Sequence, residues 1–194
     1  MIHVLVTSSR TWRNHGLVHQ VLDLAVRCSD DGQIKLTHGD ARSGGDRHAR
    51  WWAERHPDQC VHDPHPAQWN TFGKKAGFIR NSEMVDLNPD ICLAFVNDCR
   101  HLPDCEERAA ELRIDGKFRH LSHGAAMTMD LSAYEKIPVE LFYEPLARPD
   151  PAELADAVTG LLATVNGTGP HAGHTREKIG RCLYCSCGER VQVG

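Results

Sequence analysis

The sequence predicts an α/β protein: an open parallel sheet with helices on both faces, extended by a C-terminal helix and a small cysteine-bearing tail. Three observations carry this reading. Short apolar, β-branched runs recur along the chain, and segments of helical spacing separate them. The loops rich in glycine, serine and histidine mostly follow the apolar runs, where open α/β sheets bind ligands.

The elements follow in order. "IHVLVT" at 2–7 reads as a buried strand, broken by "SSRTWRN". Leu17, Val18, Val21, Leu22 and Ala25 then recur at the spacing of one helix face. "QIKLT" at 33–37 reads as a second strand, closed by the loop "HGDARSGGD". Asp46 is placed to cap a helix near 47–56. "QCVHD" at 59–63 is a weaker third strand, and a polar stretch at 64–79 leads to a short helix at 80–87. "DICLAFV" at 90–96 is the clearest strand, and "EERAAELRI" at 106–114 has helical composition. "SHGAAMTMDLSAYEKI" at 122–137 is a loop entering a helix, and "PVELFY" at 138–143 is the last strand.

After residue 145 the composition changes. Asp150, Pro151 and Glu153 supply a cap, a first-turn proline and an N3 acid. Leu154, Val158, Leu161, Leu162 and Val165 mark one apolar face, expected to pack on the domain. "NGTGPHAGH" at 166–174 reads as a flexible linker. The expected organisation is a domain over 1–145, a packing helix over 146–165, and a linker with a tail over 166–194.

Bulk composition bounds the function. The 194 residues are 41% apolar, enough for one real core, and carry a net charge of −4, which argues against a general nucleic-acid binder. No apolar run approaches the ~18 residues of a membrane span, and "MIHVLVTSSR" has no basic leader region. A cytoplasmic protein with no membrane partner is expected. Eight cysteines are many for such a compartment. Cys28, Cys60, Cys92, Cys99 and Cys105 are scattered and read as small buried or partly buried residues, whereas Cys182, Cys185 and Cys187 cluster.

Three segments carry candidate binding chemistry. In "THGDARSGGD", Gly39, Gly44 and Gly45 permit close backbone approach to a ligand before a helix N-terminus. Asp46 at that terminus competes with a phosphate, and suits ribose hydroxyls or a base instead. "WNTFGKKAGFIRN" at 69–81 joins Trp69 and Phe72 to Lys74, Lys75 and Arg80 with no acid. Aromatic faces, cations and glycine make the composition of a nucleotide pocket. "VTSSRTW" brings Ser8, Ser9 and the guanidinium of Arg10 to a strand end. Each segment also has an ordinary reading, as a structural loop, a solvated basic loop or a local ion pair.

Taken together, "SSRTW", "HGDARSGGDRHARWWA", "PAQWNTFGKKAGFIRNSEMV" and "SHGAAMTMDLSAYEKIPV" resemble, in that order, the YspA-like (cpYpsA-related) branch of the SLOG superfamily, over roughly residues 1–143. The resemblance implies a Rossmann-like fold and a nucleotide-related ligand. It implies ligand contacts from Ser8, Ser9, Arg10, Trp12, His38, Gly39, Asp40, Gly44, Gly45, Asp46, Trp69, Lys74, Gly77, Arg80, Asn81, Ser122, His123 and Gly124. Departures stand beside it: Ser8 where glycine is frequent, Gly45 where alanine is usual, Gln68 where aspartate is frequent, and Ala125 for an expected threonine. Residues 98–121 are longer than the usual link.

Phosphoribohydrolases of the superfamily carry a P-G-G-x-G-T-x-x-E motif with a catalytic glutamate, and this chain has none. Binding of a nucleotide, an ADP-ribose-like molecule or a cyclic derivative, for sensing or sequestration, is therefore the leading expectation. N-glycosidic hydrolysis is second, with Asp46 as the carboxylate and Asp40 behind it. A nucleic-acid-associated role is third. Relatives that self-associate make a homo-oligomer an expectation, and the composition suits a GC-rich bacterium or its phage.

The tail raises a separate expectation. Cys182 and Cys185 have C-x-x-C spacing, and with Cys187 and His174 they complete a set for a structural zinc ion. Arg176, Lys178, Arg181 and Arg190 against Glu177 and Glu189 would let such a knuckle touch nucleic acid. "CVHDPHP", with Cys60, His62, Asp63 and His65, is a second candidate cluster, read more readily as a histidine-rich pocket rim.

Overall fold

The computed structural model describes residues 1–101, 105, 111–114, 116–145, 151–165, 176–179 and 182–185. Five strands form one parallel sheet: β1 (Ile2–Ser8), β2 (Ile34–His38), β3 (Cys60–Pro64), β4 (Ile91–Val96) and, after a short hairpin, β7 (Val139–Tyr143). Their order across the sheet is β3-β2-β1-β4-β7. The chain runs outward from β1 to β3, then returns to the other side of β1, so strand order reverses between β1 and β4. All four pairings are parallel, with Val6 opposite His38 on one side and Leu93 on the other.

Alternation along the strands feeds two cores, as expected for strands buried on both faces. Ile2, Val4 and Val6 of β1 and Ile91, Leu93 and Phe95 of β4 join one core. That core is completed by α1 (His15–Cys28), α2 (Gly45–Arg55) and α6 (Pro151–Val165). Leu5, Cys92, Ala94 and Val96 point the other way. They meet α4 (Ala76–Asp86) and α5 (His123–Tyr134). The apolar stripe of α1 is buried as its spacing predicts. Leu154, Val158 and Leu162 of α6 are fully or nearly buried in the first core. Among the described residues no helix is long and apolar enough to cross a membrane.

Three expectations change. The segment 106–114 does not end in a helix: Glu111–Ile114 is strand β5, paired antiparallel with β6 (Lys117–His120) across Gly116, whose φ is 72°. Ile114 is buried in the second core, and that tertiary contact overrides the helix-forming composition before it. The short helix expected at 80–87 starts earlier, at Ala76, and α3 (Trp69–Phe72) and a 3-10 turn (Gly73–Lys75) within the polar stretch lead directly into it. Asp46 is not the cap of α2. Gly44 is, at φ 77°, with the Ser9 carbonyl oxygen occupying the space a Cβ would need. In the tail, β8 (Arg176–Ile179) and β9 (Cys182–Cys185) pair as a hairpin.

Candidate functional site

A cleft of about 710 Å³ opens at the carboxyl ends of β1 and β4, where the strand order reverses. That is the general ligand position of open α/β sheets, and the volume is that of a small-molecule site. Val6, Thr7 and Ser8 form its floor from β1, and Ala41 and Asp46 enter from the loop and first turn after β2. Trp69, Lys74, Gly77, Arg80 and Asn81 line it from α3 to α4. Ser122, His123 and Gly124 close it at the start of α5, and Asp98, Cys99, Arg100 and His101 from the loop after β4.

At the centre lies Asp46, 5% exposed. Ser8 Oγ donates to Asp46 Oδ1 at 2.8 Å and accepts the Asp46 N–H at 3.0 Å. The Ala41 N–H reaches Oδ2 at 3.4 Å, and Arg80 Nη1 stands 3.9 Å from the same oxygen. Burial pushes the Asp46 carboxyl above the usual carboxylate range, against the opposing pull of Arg80. Burial also lowers the Arg80 guanidinium, with Asp46 opposing. Both ions thus suffer from lost hydration, and their separation is too long for full compensation. A polar ligand group between them would relieve both.

The walls are aromatic and cationic. Trp69 is 49% exposed, and the Arg10 guanidinium stands 5.8 Å from its ring centroid. Gly77 lies under the indole: a Cβ there would come within 3.3 Å of the ring. Asn81 is buried and donates to the Gly124 carbonyl at 3.0 Å, tying α4 to the first turn of α5. The Ser122 side chain makes no capping bond to the α5 backbone.

Other residues expected in the site stand behind its wall. Ser9 is buried, and its Oγ accepts the Asn97 N–H at 2.8 Å, joining the ends of β1 and β4. Trp12 is a core residue, edge-on to Phe95. Gly39 gives up its side-chain space to the Arg80 guanidinium, and Gly45 lies against Ser8. Asp40 pairs with Arg50 of α2, and its N–H donates to His38 Nδ1 at 3.0 Å. His38 is fully buried with Nε2 2.8 Å from His62 Nε2, and its pKa falls to about 3, chiefly through burial. Neither Asp40 nor His38 lines the cleft. Ala125 is buried in the second core.

The "CVHDPHP" set does not converge. Strand alternation pairs His62 with His38 on one face of β3, while Asp63 meets Lys35, Thr37 and His65 through the other. Cys60 is buried, its thiol pushed up to about 11. Of the four expected tail ligands, Cys182 and Cys185 begin and end β9, while His174 and Cys187 lie outside the described residues.

A different set does converge. One ligand atom from each of Cys99, Cys105, His120 and His123 lies within 4.8 Å of every other, an arrangement compatible with a metal ion. Sequence reasoning treated Cys99 and Cys105 as scattered. The signal available was a pair of cysteines inside the overlong link at 98–121 and an H-x-x-H step, His120 to His123, across its end.

The comparisons agree with this architecture. The model of the "YspA, cpYpsA-related SLOG family" matches residues 2–72, which span β1 to α3 and include Ser8, Asp46 and Trp69. The Gene 61 protein of Mycobacterium phage D29 is 39% identical over 97 residues, 49% of this chain and 77% of that relative. No solved structure matches the chain. With the matched segment building the floor and one wall of the cleft, the chain belongs to the YspA, cpYpsA-related SLOG family.

Proposed function

We propose that the protein binds a nucleotide-derived small molecule (a nucleotide, an ADP-ribose-like molecule or a cyclic derivative) and acts by sensing or sequestering it. Family membership supports nucleotide-related chemistry. The observation that carries the reading is the cleft's composition: Trp69, Arg10, Lys74 and Arg80 surround the single buried carboxylate of Asp46. The indole suits a base, and the guanidinium and ammonium groups suit phosphates. The first turn of α5, at Ser122–Gly124, adds backbone N–H groups and the positive end of a helix dipole. Asp46 suits a ribose hydroxyl.

One observation favours a second reading, hydrolysis of an N-glycosidic bond. A carboxyl raised by burial, in a cleft beside a cation, is also how a catalytic acid or base is prepared. Native mass spectrometry of protein taken directly from cells tests the first reading, with a retained nucleotide-sized adduct as the expected result. Incubation with nucleoside monophosphates, NAD and cyclic ADP-ribose isomers then separates the two. Unchanged substrate mass supports binding, and release of a free base establishes the hydrolase.

A further inference from the structure

We propose that Cys99, Cys105, His120 and His123 bind one zinc ion in a closed, structural Cys₂His₂ site that fixes one wall of the cleft. His123 Nε2 stands 3.4 Å from Cys99 Sγ, 3.2 Å from Cys105 Sγ and 3.0 Å from His120 Nε2. Ordinary hydrogen bonding accounts for only one of these three contacts at a time. One imidazole nitrogen offers either one proton or one lone pair, and here it faces two sulfurs and a second imidazole nitrogen. A cation explains all of it. Zinc bonds of about 2.0–2.1 Å to nitrogen and about 2.3 Å to sulfur put the corners of a tetrahedron roughly 3.3–3.8 Å apart, so an ion would need these three separations of 3.0–3.4 Å to open by only a few tenths of an ångström.

The surrounding backbone is built to hold these four atoms together. Asp98 bridges to Leu121, and the Cys99 N–H donates to the His120 carbonyl at 2.7 Å, which places the first cysteine beside the first histidine. The His101 N–H points at Cys99 Sγ at 3.5 Å, the kind of outer contact that supports a metal-bound thiolate. His123 is the first residue of α5, so its ring is set by the helix. Four protein ligands of two soft and two borderline types match zinc and leave no open position for catalysis.

The site also answers a need of the fold. Between β4 and α5 the chain inserts a two-stranded hairpin with strands of four residues each. A hairpin this small is marginal by itself. Phe118 on it is 78% exposed, and Ile114 is its only fully buried apolar side chain among the described residues. A metal joining the residues before, within and after the hairpin stabilises what its core does not. Cys99 and His123 line the cleft as well, so the ion would pin the segment carrying Asp98, Arg100, His101 and Ser122.

Metal analysis of the purified full chain tests this. Cys105→Ser and His120→Asn are each expected to lose one equivalent of zinc that Cys185→Ser retains. Equal zinc in all three and in the wild type overturns the proposal. Should those variants fail to fold, the wild-type protein decides by alkylation and peptide mass spectrometry. Cys99 and Cys105 are expected to resist alkylation until a chelator strips the metal, and to regain resistance when zinc alone is restored. Alkylation of both, unaffected by chelation or zinc, overturns it. Cobalt exchanged into the wild type is expected to show a tetrahedral spectrum that Cys185→Ser leaves unchanged. A spectrum abolished by Cys185→Ser assigns the metal to the tail instead.

Discussion

Ser8 and Asp46 hold each other by two reciprocal bonds: the serine hydroxyl donates to the carboxylate at 2.8 Å and accepts the aspartate's own N–H at 3.0 Å. One side chain thereby settles the first turn of α2 and the only buried carboxylate in the cleft lining. Ser8→Ala leaves both groups short of a partner, at an expected cost of about 1–3 kcal/mol. The cost has a pH signature. Ser8 favours the ionised carboxylate, so its loss raises the Asp46 pKa further. Urea unfolding of the variant, followed in pH steps, should show a deficit that grows as pH rises above the ordinary carboxylate range. A deficit that does not change with pH would mean that Ser8 acts by packing alone.

Ser8 and Gly45 form a second pair. A Cβ on Gly45 would lie 2.7 Å from the Ser8 Cβ and 3.5 Å from that of Phe95. The family resemblance has glycine frequent at the first position and alanine usual at the second, so this chain has moved the bulk from one side of the contact to the other. Gly45→Ala should destabilise the protein by roughly 1–3 kcal/mol through overpacking. In the Ser8→Gly background the same change should stabilise it, since alanine is the better helix former by about 1 kcal/mol. A double-mutant cycle reads the coupling directly. Additive effects would show that the clash is absorbed elsewhere.

How much of this was legible in the sequence depends on range. The runs at 2–7 and 90–96 announce buried strands because apolar residues are contiguous there, and α1 announces itself by its stripe. The cleft was legible as a set of loops because parallel topology sends every strand end to one edge. What each loop residue does there was not. Gly39 and Gly45 serve the site by yielding space to Arg80 and Ser8, a packing relation with no local signature. Glu111–Ile114 follows a helix-forming stretch and becomes a strand through one buried isoleucine. The Cys99–Cys105–His120–His123 cluster depends on a hairpin whose pairing had to be known first.

His38 and Glu140 give the fold opposite responses to pH. His38 accepts the Asp40 N–H on Nδ1, so its proton sits on Nε2, facing His62. Its pKa of about 3 against 6.5 unfolded means that the unfolded chain binds the extra proton first. His38 therefore costs stability as pH falls from 6.5 toward 3, by up to about 1.4 kcal/mol per unit. Glu140 on β7 is raised to about 7 by burial, so it costs stability as pH rises from 4.5 toward 7. Relative to wild type, His38→Gln should lose the acid sensitivity. Glu140→Gln should gain stability progressively across its own window. Thermal melts in steps from pH 4 to 8 check both signs, and parallel curves for variant and wild type would refute them.

Trp69 is half exposed over Gly77 and belongs to neither hydrophobic core, so its truncation should spare the fold. Base stacking on an indole contributes about 1–3 kcal/mol, so Trp69→Ala should weaken nucleotide binding roughly tenfold or more. Calorimetric titration with the retained molecule measures this, and Trp69→Phe should recover part of the loss. If affinity is unchanged while the melting temperature is too, the base does not lie on this wall.

Asp46 separates binding from turnover. Asp46→Asn keeps an oxygen for the Ser8 hydroxyl and for a ribose, removes a charge that burial disfavours, and leaves Arg80 its bond to the His65 carbonyl but no carboxylate. For a binding protein, affinity should change by no more than about thirtyfold, since neutral and charged acceptors differ by about 1–2 kcal/mol. For a hydrolase, binding should persist while base release stops, because an amide can neither give nor take the proton that bond cleavage requires. The same titration and mass-spectrometric assay, run on one variant, therefore read two roles of a single carboxylate. Loss of binding by much more than about thirtyfold, in a variant that melts like the wild type, would mean that the ligand carries a cation or a donor that needs the full charge of Asp46.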